Sequence, residues 1–204
     1  MASGAVVLKA LGAVYNVASN LGRKQAEEAL RRSNGNKEKA ADKVIKSACL
    51  WGVGSGFSTN FGGFATMSVS IPADLTALSC IQLRMSSAIA HIGGYDVDDE
   101  NVRAFCYLVL IGSSAEEALQ KVGVEVSTKT LSSLITKIPR KVLVEINKQV
   151  GYRLVTKAGK TGVINFMKVV PFVAAATGGG INYWMVRSAG KLAKKYFLAL
   201  DGEE

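Results

Sequence analysis

Two long segments of this chain carry no charge, yet both are interrupted by small and polar residues. One runs from Ser47 to Ala73 and the other from Val169 to Val186. Their lengths are comparable to the ~20 residues that a helix needs to cross a membrane. However, glycine, serine, threonine and asparagine recur through the first, while Pro171 and Gly178–Gly180 interrupt the second. Because backbone bent by glycine leaves polar groups unsatisfied in lipid, the pattern favours buried segments packed through glycine over membrane spans.

The rest of the chain has helical periodicity. In the first helix, apolar residues recur at the spacing of one helix face: Val7, Leu11, Val14, Ala18 and Leu21. No stretch alternates long enough to predict a sheet. With 204 residues, 49% of them hydrophobic, the chain is long enough to bury one core. We predict an all-α fold, a single compact helical domain with Gly-rich helix–helix packing segments, in which residues 1–36 form an N-terminal helix and loop and residues 37–200 the main helical domain.

The chain is basic, with 25 Lys and Arg against 16 Asp and Glu. Its last helix places four basic residues beside an apolar face: Arg187, Lys191, Lys194 and Lys195. A helix of this kind either lies on an anionic membrane surface or docks on the core with its lysines in solvent, and the sequence leaves both open. Nucleic-acid binding is not predicted, because acidic residues interrupt the basic ones and no aromatic stacking platform lies among them.

The motifs that hold nucleotides or metal ions are incomplete. Gly159–Thr161 resembles the end of a P-loop, but Leu154 occupies the position of the required first glycine. Asp96–Glu100 begins like a calcium loop, yet the loop's glycine position holds Asn101. A single histidine, His91, cannot build a multi-histidine metal site. The sequence therefore predicts neither a metal ion nor a cofactor.

The cysteines point to a reducing compartment. Cys49, Cys80 and Cys106 each stand in an apolar run without CxxC spacing, which is typical of buried free thiols. The first residues lack the features of a secretory signal, since Lys9 interrupts a short apolar run that no basic segment precedes. We expect the protein to stay in the cytoplasm.

Two charges stand out between Ser47 and Tyr95, because Asp74 and Arg84 are the only ones there. A buried charge is costly unless it is paired, so each should have a partner. The candidates on other helices are Arg103, Glu145, Arg153 and Arg187. Arg84 thus either locks helix packing through an ion pair or forms an anion site.

The order of several short motifs resembles the EcsC protein family. The residues that carry this resemblance are Gly56–Thr66, Ile71–Leu75, Gln82–Arg84, Ile89–Ala90, Gly94–Asp96, Asp98–Asp99, Ile146–Lys148, Val150–Leu154, Gly162–Asn165, Val170–Pro171, Gly178–Asn182, Arg187 and Gly190–Lys191. The resemblance implies a bacterial, largely helical protein of a family named after a protein encoded beside an ABC transporter. It implies no established reaction, so no catalytic residue is carried over. The candidate ligand-binding residues include His91. The others are polar residues at family-like positions in apolar surroundings: Asp74, Gln82, Arg84, Arg153, Asn182 and Arg187.

Two functions fit these observations. The first is a non-enzymatic protein that associates with the inner face of the membrane or binds a lipid-like apolar ligand between Gly-rich helices, with Arg187, Lys191, Lys194 and Lys195 on the membrane surface. The alternative is a hydrolase that uses His91 or Asp74, with Arg84 holding an anion. The expected partner is a membrane lipid or an apolar ligand; no protein partner is predicted.

Overall fold

A computed structural model describes residues 4–53, 73–124, 135–159 and 178–198. Every regular element in these ranges is a helix, which confirms the predicted all-α fold. The α-helices are α1 (Gly4–Arg31), α2 (Lys37–Val53), α3 (Ala73–Gly93), α4 (Glu100–Ile111), α5 (Ala115–Lys121), α6 (Arg140–Gly159) and α7 (Gly178–Phe197), with a 3-10 turn at Gly112–Ser114 between α4 and α5.

Helix α3 forms the centre of the molecule. It packs against α1, α2, α4 and α7, and its side chains from Ser79 to Ala90 are all buried except that of Arg84, which is half-buried. A helix with apolar and small residues on every side is stable only when neighbours surround it. Two of its buried serines, Ser86 and Ser87, satisfy their hydroxyls by donating to the carbonyls of Leu83 and Arg84.

Helix α1 crosses α3 at very close range. A Cβ added to Gly22 would lie 2.3 Å from Ser87 Oγ and 2.7 Å from the Arg84 carbonyl oxygen, so only glycine fits this contact. About two turns before Gly22, the buried Tyr15 hydroxyl donates to the Val97 carbonyl at 2.8 Å. Helix α1 also packs against α2 and α6. The predicted division at residue 36 stays a prediction.

Helices α2 and α7 run antiparallel. Lys194 of α7 bonds to Glu38 and Asp42 near the start of α2, whereas the Tyr183 carbonyl accepts from Cys49 Sγ near its end. Between these contacts, a Cβ on Gly190 would lie 2.7 Å from the Ile45 side chain. Close packing through glycine thus occurs at Gly22 and Gly190. Most of the two charge-free windows, 47–73 and 169–186, lies outside the described residues.

The acidic run before α4 caps that helix. Asp99 is the N-cap residue, and its carboxylate accepts from the backbone N–H groups of Asn101 and Val102. Asp98 instead pairs with Arg23 of α1 at 2.8 Å. The run is therefore structural, because each of these carboxylates secures a helix end or an inter-helix contact.

Candidate functional site

Arg84 is held by a neutral amide and an aromatic ring. Its Nε donates to Gln25 Oε1 at 2.9 Å, and its guanidinium carbon lies 4.1 Å from the centroid of the Trp51 ring. Burial lowers the pKa of this guanidinium below its usual value. No carboxylate among the described side chains lies within ion-pairing distance of it, so Glu145, one of the candidate partners, does not pair with Arg84. Glu145 pairs with Lys148 on its own helix at 3.5 Å.

The residues of the hydrolase hypothesis lie along one helix. His91 occupies the last turn of α3 and Asp74 the first. A rise of about 1.5 Å per residue separates their backbones by about 25 Å, and Arg84 lies about 10 Å from His91 along the axis. The backbones of His91 and Asp74 are therefore too far apart for both residues to act on one bond. The side chains of Asp74 and Asn182 lie outside the described part of the structure.

Arg153 connects α6 to α5. Its Nη2 lies 2.6 Å from Glu117 Oε1, and its Nη1 donates to Ser114 Oγ at 3.3 Å. The hydrogen bond from Arg153, aided by Lys121, lowers the pKa of Glu117 below its usual value. Arg153 therefore has a structural contact that accounts for its charge.

Two of the four basic residues on α7 are also tied to neighbouring helices. Lys194 lies 2.8 Å from Asp42 and 3.2 Å from Glu38. Burial acts to lower the pKa of Lys194, but its hydrogen bonds to these carboxylates raise it overall. Lys195 lies 2.7 Å from Glu116 of α5. Both lysines thus dock α7 onto the core.

The other two, Arg187 and Lys191, are exposed, and neither has an acidic partner among the described residues. Arg187 Nη1 donates to the hydroxyl of Tyr183 at 3.0 Å. Large apolar side chains are exposed on α7 and at the end of α2: Leu50 at 62%, Tyr183 at 38% and Trp184 at 50%. The spacing places Tyr183, Trp184, Arg187 and Lys191 on one side of α7, and the contact between Cys49 and Tyr183 brings the end of α2 next to it. We call Leu50, Tyr183, Trp184, Arg187 and Lys191 the interfacial face.

A cavity of about 500 Å³ opens beside this face. It lies between α3, the end of α4, the start of α5 and α7, and its volume is within the usual range for small-molecule sites. Apolar side chains form most of its described wall, among them Val109, Ile111, Met185 and Leu192. The interfacial residues Trp184 and Lys191 also line it.

Gln82 supplies a polar group to the wall of this cavity. The residue is only 5% exposed, and in the part of the chain that the structure describes its amide has no hydrogen-bond partner. Glu116, the one acidic residue among the described lining residues, is neutralised by Lys195. The charges of Glu116 and Lys195 cancel, so Lys191 gives the described lining a net positive charge.

The cysteines are buried free thiols, as predicted. Burial raises the pKa of the Cys80 and Cys106 thiols to about 12, so neither ionises near neutral pH. Within the described ranges, no group of three or more His, Cys, Asp and Glu side chains could hold a metal ion.

Of the predicted ligand-binding residues whose side chains are described, Gln82 lines the cavity, whereas Arg84, His91, Arg153 and Arg187 do not. Lys191, which was predicted to lie on the membrane surface, also lines it. Trp184 and Ser188 also line it, although neither was predicted from the sequence. A tryptophan just before the basic residues of the last helix was the available signal for this site.

The fold and site define an all-helical protein with an apolar cavity beside an exposed aromatic and basic face. None of its described helices combines the length and apolar character that crossing a membrane requires. The EcsC protein family model matches residues 11–198, and the chain belongs to that family. No curated protein and no solved structure matches it.

Proposed function

We propose that this EcsC-family protein is a binding protein rather than an enzyme, and that it attaches peripherally to the anionic inner face of a membrane. The observation that carries the proposal is the interfacial face, where Leu50, Tyr183 and Trp184 are exposed beside two cations without acidic partners. The cavity that borders the face is the proposed binding site for a lipid-like ligand.

The chemistry of the face matches that of a lipid headgroup region. Tryptophan and tyrosine favour the boundary between headgroups and acyl chains, because one end of each side chain is apolar and the other polar. Leu50 adds an apolar side chain that gains free energy on leaving water. Each Lys or Arg near an anionic surface contributes about 1 kcal/mol, so Arg187 and Lys191 together account for about 2 kcal/mol.

The other two basic residues of α7 do not take part in this proposed contact with lipid. Lys194 and Lys195 are held by carboxylates of α2 and α5, so they fix the orientation of the helix instead of meeting lipid. Of the four basic residues predicted to lie on the membrane surface, we therefore propose that Arg187 and Lys191 contact lipid, together with the aromatic residues before them.

Vesicle flotation tests the proposal. The full chain is mixed with vesicles of phosphatidylglycerol and phosphatidylcholine, or of phosphatidylcholine alone, and the fraction that floats is measured. We expect binding to the anionic vesicles only. Arg187→Ala/Lys191→Ala should weaken this binding by roughly 30-fold, from the loss of about 2 kcal/mol.

A matched control separates the face from the overall charge. Arg140→Ala/Lys141→Ala removes the same two charges from exposed positions on α6, and should change binding less than threefold. Equal loss in the two double variants would show that net charge alone drives binding. Failure of the unmodified chain to float with anionic vesicles would overturn the proposal.

A further inference from the structure

We infer that the cavity holds one acyl chain of an anionic lipid, with the charged headgroup at Lys191 and a polar linkage of the lipid at Gln82. This inference rests on the proposed function, because the cavity is reached from the interfacial face. It goes beyond the proposed membrane contact, because it names a binding site, the cavity, and a class of ligand, an anionic lipid.

The apolar wall indicates the acyl chain. Val109 and Ile111 at the end of α4 and Leu192 of α7 line a space of about 500 Å³. Apolar walls of this kind favour a ligand that is itself mostly apolar, since each buried CH₂ group leaves water.

Gln82 indicates a polar group within the ligand. Its side chain lines the cavity and has no hydrogen bond to another described residue, so its amide is available to a ligand in that space. A side-chain amide both donates and accepts hydrogen bonds, so it suits the ester carbonyl or glycerol hydroxyl of a lipid. A purely apolar ligand would leave this group unsatisfied.

Lys191 indicates the charge of the headgroup. Among the described lining residues, Glu116 already pairs with Lys195, so Lys191 is the uncompensated charge. A phosphate or carboxylate would accept a charge-assisted hydrogen bond from it. Because Lys191 and Trp184 belong both to the lining and to the interfacial face, a lipid can reach the cavity from the membrane surface.

The test uses 1-oleoyl lysophosphatidylglycerol below its critical micelle concentration, titrated into the full chain by calorimetry. The matched ligand is lysophosphatidylcholine with the same chain, which has no net charge. We expect one molecule bound per chain and about tenfold tighter binding of the anionic lipid. Equal binding of the two lipids, or binding of several molecules per chain, would overturn the inference.

Two variants locate the site. Ser188→Phe places a bulky ring among the lining residues and should weaken binding more than tenfold, whereas Gln82→Leu removes the polar partner and should weaken it about fivefold to tenfold. Circular dichroism checks that each variant is folded, and Gln82→Leu replaces the amide by an apolar group of similar size. If both folded variants bind as the unmodified chain does, the inference is wrong.

Flotation of the same variants distinguishes the inference from the proposed function. Neither substitution removes a side chain of the interfacial face, so both variants should float with anionic vesicles like the unmodified chain. A chain that floats but binds no lysophosphatidylglycerol would refute the cavity site and leave the proposed function standing. A chain that binds the lysolipid but does not float would refute the membrane attachment instead.

Discussion

Arg84 Nε donates to Gln25 Oε1 at 2.9 Å, so the arginine in the middle of α3 is held by a neutral amide of α1. The Trp51 ring of α2 covers the guanidinium from another side. Three helices therefore meet at one half-buried cation that has no carboxylate beside it among the described side chains.

This arrangement predicts how substitutions at Gln25 behave. Gln25→Ala should lower the free energy of unfolding by about 1.5–3 kcal/mol, because one hydrogen bond to a charged group is lost. Gln25→Glu should stabilise the protein at neutral pH by up to about 1 kcal/mol. Its carboxyl pKa would be depressed by Arg84, so the gain should be present above the unfolded pKa and disappear as the pH falls through the lower folded value. Urea unfolding of both variants at pH 7 and pH 3 measures the effect; a gain for Gln25→Glu that persists at pH 3 would contradict it.

The contact between α1 and α3 predicts a contrast between two glycines of one helix. Gly22→Ala places a Cβ within 2.7 Å of the Arg84 carbonyl and should destabilise the protein by about 1–3 kcal/mol. Gly12→Ala meets no atom within 4 Å and should stabilise it by about 0.5–1 kcal/mol, because alanine suits a helix better. Thermal unfolding of the two variants measures both changes in stability. Equal changes for Gly22→Ala and Gly12→Ala would show that the close contact between α1 and α3 is absent.

The contact between Arg153 and Glu117 predicts a dependence on pH. The folded state lowers the pKa of Glu117, so this contribution to stability is present above the ordinary carboxyl pKa and is lost as the pH falls through the lowered value. Arg153→Ala should therefore lower the melting temperature at pH 7 by a few degrees, and the difference should shrink below about pH 4. Melting curves from pH 3 to pH 7 measure it, and a difference that does not vary with pH would count against this role.

The buried thiols predict slow chemical modification. Cys49, Cys80 and Cys106 are at most 2% exposed, and burial raises the pKa of each. The folded protein should react with Ellman's reagent at pH 8 at least 100-fold more slowly than the protein in guanidinium chloride, in which all three should react. A thiol that reacts within seconds in the folded protein would indicate an accessible cysteine.

Local patterns were sufficient to predict the all-helical fold. The apolar spacing of α1 predicted a helix there, because burial of one helix face depends on residues that are close in sequence. The N-cap of α4 is Asp99, with Asp96 and Asp98 just before it. Because several carboxylates there could accept from the same backbone N–H groups, the local sequence does not select the capping residue.

Partners across the fold could not be predicted in this way. Gln25 is 59 residues away from Arg84, and its neutral amide gives no charge signal in the sequence. Lys194 and Lys195 resembled a solvated face, yet carboxylates of α2 and α5 hold them. The cavity is formed by separate helices, so its residues share no spacing along the chain.

The most direct test of the membrane contact uses the position of Trp184. The chain has two tryptophans, so Trp51→Phe leaves Trp184 as the only one. Its emission is recorded with phosphatidylglycerol vesicles that carry brominated acyl chains, under conditions in which flotation shows the protein bound. We expect strong quenching and a blue shift, because Trp184 would lie among the lipid headgroups and upper acyl chains. Emission from the bound protein that is neither quenched nor shifted would contradict it.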